Sequence, residues 1–141
     1  DYQMEIGKKL VVIDGQGGGI GRQVVQAAKA AFPEADATAV GTNSTAAAAM
    51  LKAGANRAAT GENSVKVCCR SADVLIGPVA IVIADSLLGE ITPAMAAAVG
   101  QSAAARILIP VNCCGNIIAG VPDLTITRMV ASVVEELRKL A

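Results

Sequence analysis

Lys-Leu-Val-Val-Ile-Asp-Gly-Gln-Gly-Gly-Gly-Ile-Gly-Arg, residues Lys9 to Arg22, is the stretch on which the fold turns. Its first six residues form a nearly continuous aliphatic run closed by glycine, the pattern of a short central strand buried on both faces of a parallel sheet. Beyond the glycines, Ile20, Val24, Ala28 and Ala31 recur at helical spacing until Phe32-Pro33 stops the helix. The order is strand, glycine loop, helix.

The same alternation continues outward. Asp36 to Val40 reads as a second strand, and Asn43 or Ser44 caps a helix that runs through Lys52 to a left-handed Gly54. A third strand near Arg57 to Thr60 leads through the turn Gly61-Glu62-Asn63 into a short helix over Ser64 to Arg70. Val74-Leu75-Ile76 is a fourth strand ended by Gly77-Pro78, followed by an apolar helical stretch. Thr92-Pro93 then reads as cap plus first-turn proline of a helix closed by Gly100. Ile107-Leu108-Ile109 is a fifth strand, Ile117 to Val121 a candidate sixth, and Asp123 caps an amphipathic terminal helix. Strands alternating with helices predict one α/β domain over residues 1–141. Its expected form is a Rossmann-like three-layer sandwich, a mostly parallel sheet of five to six strands with helices on both faces.

Composition narrows the chemistry. The chain has 141 residues, 53% of them hydrophobic, with one Tyr, one Phe and no Trp, so its core is built from aliphatic side chains. Twelve basic and twelve acidic residues cancel, and two aromatic rings make no stacking platform; neither nucleic acid nor an anionic membrane is an expected partner. The absence of His removes imidazole-based triads and metal sites. Four cysteines stand as Cys68-Cys69 and Cys113-Cys114, a spacing unlike that of zinc or iron–sulfur sites, so no metal is expected. Asp1 to Lys9 has no apolar secretory core, which predicts a cytoplasmic chain with reduced thiols. The apolar run Val74 to Leu88 is interrupted by Gly77, Pro78 and Asp85 and is shorter than the roughly 20 residues of a membrane span. Val79 to Leu88 therefore belongs in the core or in a homo-oligomer interface.

The glycine loop carries the functional reading. The fingerprint G-x-G-x-x-G fits in no frame, because its last glycine would fall on Ile20 or Arg22. The pattern that fits is G-x-x-x-G-x-G at Gly15, Gly19 and Gly21, which resembles the glycine loop of the short-chain dehydrogenases and reductases, with Asp14 where that family usually has Thr. Glycines let backbone N–H groups approach a phosphate, and the helix beginning near Ile20 adds its own unpaired N–H groups and positive dipole end. Gly15, Gln16, Gly17, Gly18, Gly19, Ile20, Gly21 and Arg22 are the expected phosphate contacts. Asp14 opposes an anion unless its carboxylate caps backbone groups or helps hold Mg2+. Five glycines in seven positions exceed what a tight turn needs. Amides satisfied by Asp14, with no hollow beside them, would leave an α/β scaffold instead.

That resemblance stops at the loop and its flanks. The dehydrogenases' Tyr-x-x-x-Lys is missing, since the single Tyr is Tyr2 and Ile6 stands four residues on. A longer resemblance, over most of the chain, is to a family of small uncharacterised bacterial proteins with Rossmann-like sequences. It is carried by Val12 to Gly21, Gly-Thr-Asn-Ser at Gly41 to Ser44, Ala-Thr-Gly-Glu-Asn at Ala59 to Asn63 and Leu-Gly-Glu-Ile-Thr-Pro at Leu88 to Pro93. It implies the fold and no activity.

Counting about 20 residues from the loop reaches Thr42, Asn43 and Ser44, where NAD-binding folds carry a ribose-binding acid. No acid is there, and the neutral donors with Arg22 nearby favour NADP over NAD, other phosphate-bearing nucleotides remaining open. On this reading Asn43→Asp shifts preference toward NAD. Polar loops gather at the same sheet edge, and Glu62, Asp85 and Cys114 are the candidate catalytic groups, with turn, cap and packing roles as their alternatives. The expected function is nucleotide binding as a sensor or as a subunit completed by a protein partner. A small enzyme using those three residues and a ligand-free oligomeric scaffold are the alternatives.

Overall fold

The computed structural model describes residues 8–111 and 115–141. It contains five strands, β1 (Lys9–Asp14), β2 (Asp36–Gly41), β3 (Arg57–Thr60), β4 (Val74–Pro78) and β5 (Ala105–Ile109). The α-helices are α1 (Gly19–Ala31), α2 (Ser44–Lys52), α3 (Glu62–Ser71), α4 (Pro93–Gln101) and α5 (Ile126–Leu140). Strand order is β3-β2-β1-β4-β5, every adjacent pair parallel. The chain winds outward through β1, β2 and β3, then returns to the other side of β1, so the order reverses between β1 and β4. Ligand crevices of open α/β sheets form at such a point, beyond the carboxyl ends of the strands.

β1 is the centre because its alternate residues feed two cores. Leu10 and Val12 face α1, α2 and α5. Val11 and Ile13 face Val65, Cys69, Met95 and Val99 of α3 and α4. The result is the expected three-layer sandwich with a five-stranded parallel sheet.

Local chemistry sets the helix ends. Asn43 caps α2 by accepting the Ala46 N–H, and Thr92 caps α4 by accepting that of Met95, with Pro93 in the first turn. The cap of α5 is Thr125, which accepts the Arg128 N–H, in place of the expected Asp123. Helix α3 starts two residues earlier than its sequence pattern suggested, which moves Glu62 from a turn into the first helical turn. Gly100 lies inside α4.

Two expectations about whole elements fail as well. Residues 117–121 join no ladder: Ile117 is 95% exposed, and left-handed Gly120 with Pro122 two residues on breaks an extended register. The apolar run after β4 makes one 3-10 turn, Val79–Val82, and then a compact loop instead of an α-helix. Ala80, Ile81 and Leu87 enter the core, whereas Ala84, Asp85 and Leu88 are exposed, Leu88 at 95%. Among the described residues no helix is long and apolar enough to cross a membrane.

Candidate functional site

The glycine loop lies at the carboxyl end of β1, where the strand order reverses. Its glycines divide into two kinds. A Cβ on Gly21 would stand 2.5 Å from Met50 Sδ and 2.8 Å from Asp14 Cβ, and one on Gly15 2.7 Å from Thr42 Oγ1. Gly18 is left-handed at φ 73° and would bring a Cβ within 2.9 Å of Ala46 Cα. These three positions are glycine for packing and turn geometry. Gly17 and Gly19 have no positive φ, and a Cβ on either would meet nothing within 4 Å. Nothing in the fold requires them to be glycine.

The amides divide likewise. Asp14, 3% exposed, accepts the Gly15 N–H through Oδ1 at 2.8 Å and the Gly21 N–H through Oδ2 at 2.7 Å. Burial pushes its carboxyl above the usual range, the amides of Gly21 and Gly15 pull it down, and the nearby Glu90 charge pushes it up; the net shift is upward. The Gly18 N–H closes a turn onto Gly15 O. Ile20 is buried in the core, its side chain no ligand contact. Expecting the whole run of amides to face a ligand is thus corrected. Asp14 accepts two of them and also faces that of Ile20, and the N–H groups of Gly17 and Gly19 find no acceptor among the described residues. Arg22 is exposed on the first turn of α1.

Sequence order hid one residue of this site. Glu90, in the loop after β4, reaches across the end of β1 so that its Oε1 accepts the Gln16 N–H at 2.8 Å, Thr42 Oγ1 at 2.6 Å and Asn43 Nδ2 at 2.8 Å. Burial raises the Glu90 carboxyl, but the bonds from Thr42, Gln16 and Asn43 outweigh it and hold the group below its ordinary value. The acid that counting along the chain did not find beside Thr42 and Asn43 is therefore present in space. Asn43 both caps α2 and bridges Glu90 to Gln16 O, whereas Ser44 is exposed.

The loop carrying Glu90 is tightly closed and locally strained. Asp85 N–H donates to Ile91 O at 2.7 Å, Gly89 N–H to Asp85 O, and Ser86 Oγ to Ala80 O at 2.6 Å. Asp85, Leu87 and Leu88 all have positive φ, between 54° and 64°, and Gly89 follows at 85°. For leucine that region costs about 1–2 kcal/mol per residue, so two adjacent leucines there are held by their surroundings.

The catalytic candidates are not assembled. Glu62 Oε1 accepts Thr92 Oγ1 at 2.5 Å and so ties α3 to the cap of α4. Asp85 is exposed in the strained loop. No hydrogen bond joins the two, and Cys114, with Cys113, lies outside the described residues. Cys69 is pushed up to about 11 by burial and by Cys68, and Cys68 is raised by burial against the opposing charge of Arg57. Both therefore stay protonated thiols that pack. A cleft of about 550 Å³ between α3 and α4, lined by Lys66, Arg70, Gln101 and Ser102 among others, is separate from the glycine loop.

No curated protein matches the sequence. A solved structure described as a dodecameric FMN-dependent Ubix-like decarboxylase from Escherichia coli O157:H7 overlays with a TM-score of 0.47 at 15% identity, over 92% of this chain and 93% of that one. A likeness that distant informs neither ligand nor assembly. The sequence itself matches a described family over residues 9–141, which takes in the sheet, the glycine loop and the Glu90 loop together: the chain belongs to the domain of unknown function family DUF3842.

Proposed function

We propose that the chain binds a phosphate-bearing nucleotide at the carboxyl edge of its sheet. A phosphate rests against the N–H groups of Gly17 and Gly19 at the start of α1, with exposed Arg22 beside it, and the ribose side meets Gln16, Thr42, Asn43 and Ser44. The observation that carries this reading is the bareness of Gly17 and Gly19. Their backbone is open, their amides are unmet among the described residues, and neither packing nor φ demands glycine. Close approach of a ligand to the main chain is the remaining reason for the residue type, and the helix dipole favours an anion there.

A dinucleotide, NADP or NAD, would use both halves of this arrangement, since Thr42 and Asn43 can donate to a ribose hydroxyl or to a 2′-phosphate. The role is that of a cytoplasmic sensor or subunit. Exposed apolar residues, Leu108 of the edge strand β5 with Val121 beside it and Ile117 and Ile118 in the segment before α5, support self-association, to be tested by light scattering. The competing reading is a scaffold with an empty loop, and the hold of Asp14 on Gly15 and Gly21 is the observation on its side.

Thermal denaturation with NAD, NADP, ATP, GTP, FMN and coenzyme A separates the two. A ligand at 100 times its Kd stabilises by about 2.7 kcal/mol. Gly17→Ala and Gly19→Ala are expected to leave the unliganded Tm nearly unchanged and to diminish that ligand-induced rise. Silence of every ligand, with the native chain and with Glu90→Ala alike, would establish the scaffold.

A further inference from the structure

We propose that Glu90 is a built-in competitor for the nucleotide site: the loop of residues 83–91 straps its carboxylate onto the donors that a ligand needs, and binding lifts the strap. This rests on the nucleotide reading above.

Three donors that flank the glycine loop, the Gln16 N–H, Thr42 Oγ1 and Asn43 Nδ2, converge on one oxygen, Glu90 Oε1, at 2.6–2.8 Å. Three donors directed at a single point form a cradle for an anionic or strongly accepting oxygen. In this conformation the cradle is filled from within. A phosphate oxygen or a ribose hydroxyl offers the same acceptor, so occupation by ligand and by Glu90 are mutually exclusive.

The strap is seated and strained at once. Leu87, 3% exposed, presses on the turn so closely that a Cβ on Gly15 would lie 3.0 Å from Leu87 Cδ1 and from Glu90 Oε1. The next residue, Leu88, holds a left-handed backbone while its side chain stands 95% exposed, with neither its conformation nor its environment suited to leucine. A loop that stores strain while closed loses it on opening, and exposed Leu88 can then find apolar surface. Bonds from the Asp85 N–H to Ile91 O and from the Gly89 N–H to Asp85 O hold residues 85–91 in the closed form, and lifting the strap breaks them and frees Leu87 and Leu88 from the left-handed region. The fraction of chains with the strap lifted sets the apparent affinity, which falls in proportion to that fraction.

Calorimetric titration with NAD and with ADP tests this on the native chain, Glu90→Ala and Glu90→Gln. Removing the carboxylate is expected to tighten binding of both probes about tenfold in the alanine variant and by less in the glutamine variant, whose amide still accepts weakly. Binding by Glu90→Ala where the native chain is silent would support the strap equally. Unchanged affinity overturns the proposal, and weaker affinity overturns it in favour of Glu90 as a ribose acceptor. If neither chain nor variants bind either probe, the strap proposal falls, and the nucleotide reading falls with it when the whole thermal panel is silent too. Amide exchange on the native chain guards against misfolding of the variants: saturating NAD should deprotect the N–H groups of Gly89 and Ile91 if the strap lifts, while the Gln16 N–H trades Glu90 for an acceptor on the ligand, and bound NAD that leaves or increases the protection of Gly89 and Ile91 refutes it.

Discussion

Replacing Asp14 with Asn tests the centre of the site, because it keeps the volume of a buried side chain and removes only its charge and one acceptor. In the native chain two backbone N–H groups, of Gly15 and Gly21, meet the two carboxylate oxygens at 2.8 and 2.7 Å. Bonds to a charged acceptor contribute about 1.5–3 kcal/mol each. Asparagine turns one into a neutral bond of about 1 kcal/mol and sets an amide donor against the other N–H, leaving a buried donor unpaired at about 1–3 kcal/mol. Relief from burying an ion offsets part of that loss. The balance is a destabilisation of about 2 kcal/mol, or a fall in Tm of about 8 °C for a chain of this size. The pH dependence has a defined sign. Because the folded carboxyl is raised above 3.8, the unfolded chain ionises first as pH rises, and the contribution of Asp14 declines through that window and then levels off. Urea denaturation should therefore show an advantage of the native chain over Asp14→Asn that is larger near pH 3.5 than at pH 7. Equal stability of the two proteins would show that Asp14 does not hold the loop amides. An advantage that grows with pH would show that the amides, rather than burial, dominate its ionisation.

Gly21→Ala is expected to cost about 2 kcal/mol or more through overlap with Met50 and Asp14, whereas Gly17→Ala stays within about 0.5 kcal/mol, as chemical denaturation of the pair would show. Glu90→Gln should lose the acid limb of the stability profile: Glu90 is held below its ordinary 4.5, so its contribution is present above that pH and vanishes as pH falls through the lower folded value. Comparing Tm between about pH 3 and pH 7 checks it. Asn43→Asp, which the sequence alone linked to NAD preference, instead loses both Nδ2 donations and faces the Glu90 carboxylate. It should destabilise at pH 7 by about 2 kcal/mol and recover near pH 4, in the same thermal assay. Leu88→Asn should stabilise the free chain by about 0.5–1 kcal/mol, because asparagine tolerates the left-handed backbone and the exposed site wastes the apolar side chain; unchanged stability in urea would argue against strain there.

Much of what depends on a few neighbouring residues was readable from the sequence by itself, the cap of α5 at Thr125 and the start of α3 at Glu62 excepted. The aliphatic run of β1, the helical spacing behind its glycine loop, the Asn43 and Thr92 caps and the stop at Phe32-Pro33 each act over a single turn or strand, and their alternation fixed the α/β class. The run after β4 misled because its apolar residues satisfy a helical period, while burial of Ile81 and Leu87 against α3 and α4 is met better by a closed loop. The stretch 117–121 misled because its apolar residues signal hydrophobicity and do not by themselves provide a pairing strand. Which loop glycines pack and which stay open was decided only in three dimensions, since it depends on Met50, Ala46 and Thr42 from β2's carboxyl end and α2. The Glu90 contacts span 74, 48 and 47 residues and exist because the sheet places the loop after β4 beside the ends of β1 and β2. No local pattern announces an interaction that strand order creates.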